Sequence, residues 1–350
     1  MDTTHLENPL INRTISPEHD FIAEEQSVID NFSYKNNIKK ICFYHYHVNG
    51  DCWSSRLIVK HIIENTKNLN LEYYYNAPRA LGSHCEDLGI IPENFNKLNI
   101  PSDIKDNIYS DNTIFINVWI GYSQGLCCLC LKNLNNRYND IINDINNNTN
   151  FNIKFIEKIN DNIIPFNYSF YNANFLRKYI EEKKLIYKKI ILIMNIKVST
   201  TLKLNEINHN NYLHYFSSKY PEYLFITFNK IENNNNNNNN NIISMNDINE
   251  ENKIYLPFSH YGIIFSYLST LCDKLICLAT GPGIFCLNEE NRYIKNKIIL
   301  IDSLDPMNFW SPRCIKNGEF MCTDKCEFYF KHYYYSTNDD LIIELENFIN

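Results

Sequence analysis

Asp51 is the carboxylate with the best-placed neighbours in this chain. It follows Asn49 and Gly50 at the end of the apolar run Ile38 to Tyr46 and precedes an amphipathic stretch, Trp53 to Asn65. A strand that turns tightly into a helix presents that turn at the carboxyl edge of an open α/β sheet. There, ligands bind facing helix amides and the positive end of the helix dipole. A carboxylate at that rim can take a proton from a hydroxyl, with His47 or Asn49 orienting the hydroxyl. The same residues also have a plainer reading, with Asp51 as a helix N-cap and Gly50 as a turn residue. His45 and His47 alternate along the strand and share a face, where they either pack or assist Asp51. Gly50, Ser55 and Arg56 complete the rim.

A second constellation is Thr280-Gly281-Pro282-Gly283, which follows the apolar strand Lys274 to Leu278. It offers bare backbone amides and one hydroxyl, suited to a diphosphate without a bound metal, or else it is a simple glycine-proline turn. The dinucleotide pattern G-x-G-x-x-G is absent, as is a Walker G-K-[ST], so a nicotinamide enzyme is disfavoured. Lys197 and Ser259 fall on loops of the same half. Asn117 and Trp119, at the end of the apolar run Thr113 to Gly121, could hydrogen-bond to and stack on a sugar, though Trp119 equally suits a core. The cysteine groups Cys127-Cys128-Leu129-Cys130 and Cys322 with Cys326 lack the paired spacing of a zinc ribbon, and no metal site is expected. Ser199 and Ser259 stand in no nucleophile elbow, which argues against covalent serine catalysis.

The elements that must position these residues alternate strand and helix. Strands are predicted at Ile38 to Tyr46, Leu71 to Asn76 and Thr113 to Gly121, with helices at Trp53 to Asn65, Leu126 to Ile145 and Phe170 to Lys184. The second helical stretch of that series ends a first unit, and the third crosses between lobes. The pattern restarts with strands Lys189 to Asn195 and Tyr223 to Phe228, a strand Lys253 to Leu256, helix Tyr261 to Cys272 and strand Lys274 to Leu278. Strand Lys297 to Ile301 is expected to close the sequence. The predicted fold is α/β, with two Rossmann-like doubly wound domains facing a cleft. The expected divisions are an irregular arm over 1–36 with one short helix near Phe21 to Phe32, an N-terminal Rossmann-like domain over 37–185, and a C-terminal Rossmann-like domain over 186–350.

The totals agree with two domains and restrict the partners. At 350 residues the chain exceeds one ordinary core. Its net charge of −7 gives no basic footprint for nucleic acid. Asparagine fills 57 of the 350 positions, as an AT-rich genome would produce, and the nine-residue run Asn233 to Asn241 reads as a surface loop insertion. No apolar run is long enough to span a bilayer and the start lacks a signal-peptide plan, so a cytoplasmic protein is expected, in host cytoplasm if the source is viral. The twelve cysteines lie mostly in apolar segments, as in a reducing compartment.

The Gly50-Asp51 turn feeding a helix, together with Thr280-Gly281-Pro282-Gly283, resembles the GT-B glycosyltransferases, and within them the heptosyltransferase-like group. Asn49-Gly50-Asp51, Asn117-Val-Trp119-Ile-Gly121 and Cys272-Asp273 followed by Thr280-Gly281-Pro282 also resemble blocks in uncharacterised glycosyltransferase-like proteins of bacteria and large DNA viruses. The resemblance implies a GT-B fold and inverting, metal-independent transfer from a nucleotide-diphospho-sugar to a glycan or other hydroxyl acceptor. It implies Asp51 as base, an acceptor-side domain over 37–185 with Gly50, Ser55, Arg56, Asn117 and Trp119 on the acceptor, a donor-binding domain over 186–350 with Thr280 to Gly283, Lys197 and Ser259 on the donor, the nucleotide sugar as co-substrate, and no further cofactor. Thr280 stands where that pattern has serine, and the basic residues on the donor phosphates have only Lys197 as a counterpart. The alternative is therefore a non-catalytic binding or structural protein on the same scaffold.

Overall fold

The computed structural model describes residues 37–45, 49–76, 85–92, 107–110, 112–119, 128–159, 164–196, 203–231, 240–252, 260–279, 283, 285–303, 315–316, 319–320 and 330–350; the side chains of 49–51, 92, 110, 128–130, 289, 292, 315–316 and 319–320 are excepted. The predicted arm over 1–36 and the predicted strand at Lys253 to Leu256 lie outside them.

The first sheet contains β1 (Lys40–Tyr44), β2 (Glu72–Asn76), β3 (Ile91–Pro92), β4 (Ile108–Ser110) and β5 (Thr113–Asn117), in spatial order β3-β2-β1-β5-β4. All pairs are parallel except β4 with β5, which is antiparallel. Helix α1 (Asn49–Ser54) follows β1 and leads at once into α2 (Arg56–Thr66); α3 (Cys128–Asn148) follows β5. Ile58, Val59 and Ile62 of α2 repeat at i, i+1, i+4 and, with Leu134, Tyr138, Ile141, Ile142 and Ile145 of α3, cover Ile41, Phe43, Ile114 and Ile116 on one face of the sheet. Cys42, Tyr44 and Phe115 point the other way and form a separate buried cluster.

The second sheet is wholly parallel. It contains β6 (Lys189–Ile193), β7 (Tyr223–Thr227), β8 (Ile242–Ser244), β9 (Lys274–Leu278), β10 (Ile298–Asp302) and β13 (Phe330–Tyr334), in spatial order β8-β7-β6-β9-β10-β13. A small antiparallel ribbon, β11 (Ile315–Lys316) with β12 (Glu319–Phe320), stands apart. Its helices are α4 (Phe175–Lys184), α5 (His209–Lys219), α6 (Met245–Asn252), α7 (Tyr261–Leu271), α8 (Glu289–Arg292) and α9 (Asn338–Ile349). Alternate strand residues face opposite cores. Ile190, Leu192, Leu275, Cys277 and Leu300 pack beneath α4, α6 and α7, while Ile191, Ile193, Ile276 and Ile301 pack on α5 and α9. Strand order three-two-one-four-five-six is that of a doubly wound dinucleotide-type sheet.

Several expectations need correction. Asn49, Gly50 and Asp51 form the first turn of α1, so the helix starts before Trp53 and Asp51 is its third residue, not an N-cap. The third strand of the second sheet is Ile242–Ser244, directly after the asparagine run. The chain does not close at Ile301, because β13 adds a sixth parallel strand and α9 caps the outer face. Those elements escape a periodicity reading because β13 is a half-exposed edge rich in Tyr, His and Lys. Helix α4 packs on α7 within the second core.

The asparagine run also has a structural end. Asn241 is buried; its Nδ2 donates to the carbonyls of Ser217, Tyr220 and Tyr223, and its Oδ1 accepts from the Ser217 hydroxyl. It therefore satisfies the last carbonyls of α5 and the entrance of β7.

Candidate functional site at two sheet edges

Each sheet has one point where successive connections leave in opposite directions, the place at which open α/β sheets in general bind ligands at the carboxyl edge. In the first sheet this point lies between β1 and β5. The pairing continues past the strands, since Val118 N donates to the Tyr44 carbonyl at 3.1 Å and His45 N to the Asn76 carbonyl at 3.2 Å. His45, α1, Asn117 and Trp119 therefore share this edge. Asn117 is buried and its Oδ1 accepts from Trp119 N at 3.0 Å, which fixes the turn, while Trp119 is half-buried. The side chains of Asn49 and Asp51, and all of His47, lie outside the described residues.

The residues next to Asp51 face inward. His45 is buried, with Nε2 3.2 Å from Cys52 Sγ and its ring edge-on to Tyr75. Ser55 Oγ donates to the Cys52 carbonyl at 2.8 Å and lies 2.6 Å from the Tyr75 hydroxyl, whose ionisation is pushed well up by burial and by the neighbouring Cys52 and Cys85. Arg56 is 0% exposed. Its guanidinium makes a bidentate pair with Asp87 at 2.8 and 2.9 Å, donates to the Ile164 and Pro165 carbonyls, and stacks on Phe166 at 4.3 Å. Burial favours a neutral Asp87, but the Arg56 hydrogen bonds and charge, with the Asn167 amide and Tyr171 hydroxyl, hold its carboxyl below the ordinary value. The described bonds of Ser55 and Arg56 thus run within the chain. Ser55 holds Cys52 and Tyr75, while Arg56 ties the start of α2 to the segment 164–173 that leads into the second half. The signal for this was in the sequence: an arginine on the buried i, i+3 stripe with Val59 demands a buried carboxylate.

In the second sheet the change of direction falls between β6 and β9. Thr280, Gly281 and Pro282 follow β9 there but lie outside the described residues, as do Lys197 and Ser259. Gly283 is buried and its carbonyl accepts from Cys286 N at 3.2 Å. A cavity of about 460 Å³ opens at the carboxyl ends of β6 and β7, lined by Asn195, Asn229, Lys230, Ile207 and His209 among others. Asn195 and Asn229 hold each other through three hydrogen bonds of 2.8 to 2.9 Å. His209, at the start of α5, is hydrogen-bonded to the Tyr212 hydroxyl at 2.8 Å, and burial lowers its pKa to about 4, so the cavity wall is neutral there.

The two edges meet. Trp53 of α1 lies with its ring 5.9 Å from that of Phe285, two residues beyond Gly283, and Phe166 completes the contact at 5.7 Å. All three belong to the core that covers the second sheet. Gly262 of α7 keeps room for Phe285, since a Cβ there would fall 3.0 Å from the Phe285 ring. A second link pairs His260 Nε2 with Glu86 Oε2 at 3.0 Å, beside the Tyr171 ring. None of Glu86, Asp87, Tyr171 and His260 stands in a motif.

Among the described residues no cluster of three or more His, Cys, Asp or Glu side chains could hold a metal ion, and no helix is long and apolar enough to cross a membrane. The side chains of Cys127, Cys128, Cys130, Cys322 and Cys326 lie outside that description, and Cys42, Cys52, Cys85, Cys272, Cys277 and Cys286 are buried and form no disulfide.

No protein-family model and no curated protein matches the chain. Among solved structures, that of the glycosyl transferase family 9 protein from Veillonella parvula DSM 2008 is similar over 90% of this chain and 90% of its own, at 9% identity and a TM-score of 0.36. A likeness at that level carries no assignment of chemistry.

Proposed function

We propose that the protein is a glycosyltransferase that moves a sugar from a nucleotide-diphospho-sugar to a hydroxyl acceptor, inverting and metal-independent. One observation carries this reading. The contact of Trp53 with Phe285 sets the helix that bears Asp51 beside the segment that leaves the Thr280–Gly283 turn. Base-bearing helix and phosphate-cradling turn come from different sheets, and each follows a strand at its sheet's change of direction.

In this mechanism the acceptor hydroxyl lies at the first edge, near Asn117 and Trp119. Asp51 takes its proton as the oxygen attacks the anomeric carbon from the face opposite the leaving group, and His47 or Asn49 orients it. The bond to the diphosphate breaks, and the amides of Thr280, Gly281 and Gly283 stabilise the charge that develops there, with Lys197 and Ser259 on the same side. The polar cavity at β6 and β7, walled by Asn195, Asn229 and a neutral His209 with Lys230 at its side, suits the nucleoside, one strand away from the diphosphate.

The test is thermal denaturation with a panel of nucleotide sugars, followed by a transfer assay. A donor at about 100 times its Kd adds about 2.7 kcal/mol to the folded state. Asp51→Asn is expected to lower kcat by roughly 10²- to 10⁴-fold while the donor-induced shift persists. Absence of stabilisation by every nucleotide sugar would overturn the donor reading, and loss of both transfer and shift in Asp51→Asn would mark Asp51 as structural.

A further inference from the structure

The carboxyl edge of the second sheet holds a polar cluster that the mechanism above does not use. Asp302 ends β10, and His332 and Tyr334 lie two residues apart on β13. Asp302 Oδ2 is 3.1 Å from His332 Nε2, and its Oδ1 accepts from Ser303 N at 2.8 Å. The two side chains are only 4% and 9% exposed. A carboxylate can only accept, so the ring carries its hydrogen on Nε2 and, when neutral, presents Nδ1 as a lone pair. Tyr334 lies against that ring, with centroids 4.5 Å apart, and its hydroxyl is buried without a hydrogen-bond partner. The buried phenols of Tyr75, Tyr138 and Tyr212, by contrast, are each paired. An oriented acceptor and an unsatisfied donor thus stand side by side, the complement of a hydroxyl group, which both donates and accepts.

Their place in the sheet says which hydroxyl. Asp302 follows Ile301, whose carbonyl accepts from Ala279 N at 2.8 Å, and Ala279 directly precedes Thr280. Asp302 is registered with Tyr334 on the next strand. From Ala279 to Tyr334 is therefore two strand spacings, roughly 10 Å. Asp302 continues the alternation of Ile298 and Leu300, and His332 and Tyr334 that of Phe330; these, with Ala279, belong to the face that also carries Phe285 and Trp53. We propose that His332, oriented by Asp302, and Tyr334 recognise hydroxyl groups of the sugar whose diphosphate is held at the adjoining β9 turn. The proposal rests on the donor reading and adds the residues that distinguish one donor sugar from another.

The experiment is calorimetric titration of the full chain with UDP-glucose, ADP-glucose and GDP-mannose and with UDP, ADP and GDP. For the wild-type chain at least one sugar-bearing nucleotide is expected to bind more tightly than its parent. Tyr334→Phe should weaken that nucleotide sugar about 3- to 10-fold, and His332→Leu by about 10-fold or more, with the parent diphosphate unchanged within about twofold. Equal weakening of both ligands, or of neither, overturns the proposal while leaving the donor reading intact. Failure of the wild-type chain to bind any of the six overturns both. A second measurement covers the case in which His332→Leu does not fold. Tyr334→Phe removes only an unpartnered hydroxyl, so it should leave Tm unchanged or raise it, and a fall in Tm would assign the hydroxyl to the fold and refute the proposal.

Discussion

The carboxyl edges of the two sheets treat polar side chains in opposite ways. At the first edge almost every described polar group is committed inward: His45 to Cys52, Ser55 to Tyr75, Arg56 to Asp87. At the second, a polar cavity stays open beyond β6 and β7, and Tyr334 keeps an unpaired hydroxyl. The difference follows from what each edge must do. The first sheet is small, ends in an antiparallel edge strand and is joined to the second half through residues 164–173, so its polar groups form that joint. The second has six parallel strands with covered faces and needs no such joint, which leaves its edge available for a ligand.

Breaking the joint should have the largest effect on stability. Arg56→Ala leaves the Asp87 carboxylate buried and unpaired and is expected to cost about 3–5 kcal/mol, measured by urea denaturation; Arg56→Met with Asp87→Leu should recover most of it. The two halves also separate on the pH axis. His209 has a folded pKa near 4, below the ordinary histidine value of about 6.5, so the unfolded chain binds the extra proton first. Its stability is fully present above about pH 6.5 and lost as pH falls toward 4, up to about 3 kcal/mol. Asp87, also depressed, acts lower: its contribution is complete above about pH 4 and disappears as pH falls through its folded value. Denaturation midpoints of His209→Gln should therefore flatten between pH 6.5 and 4, and those of Asp87→Asn only below that range. A single common limb in both variants would mean the two edges are not energetically distinct.

Smaller effects sharpen the comparison. Asn241→Ala removes a buried amide from three carbonyls and one hydroxyl and should cost about 2 kcal/mol, with no change in any activity if the asparagine run is structural at this end. Gly262→Ala presses on Phe285 and, through it, on Trp53; about 1 kcal/mol of destabilisation is expected, read as a shift in Tm. If transfer falls with that mild substitution while donor binding holds, alignment of the two edges is what the contact provides.

Much of this architecture was legible in the residues. The runs Lys189 to Asn195 and Lys274 to Leu278 announce parallel strands because a strand covered on both faces must be apolar throughout, and the restart of the pattern at Lys189 marks the second sheet. Strand β8 and the last strand and helix were not, since a three-residue strand beside a low-complexity run and a tyrosine-rich edge carry no period that distinguishes them from loop. At the candidate site, Gly50-Asp51 and Gly281 are nominated because glycine next to a strand end has a local meaning; Asp51 falls in the first turn of α1, and Gly281 lies outside the described residues.

Local sequence thus determined where most of the apolar parallel strands lie, because strand, helix and turn preferences act over a few neighbouring residues. Tertiary structure decided that Arg56 belongs to Asp87, that Trp53 meets Phe285 and that Asp302, His332 and Tyr334 gather at one edge. Arg56 and Asp87, Trp53 and Phe285, and Asp302 and His332 are separated by 30 to more than 200 positions, and such pairings are made only when burial brings distant polar and aromatic groups together.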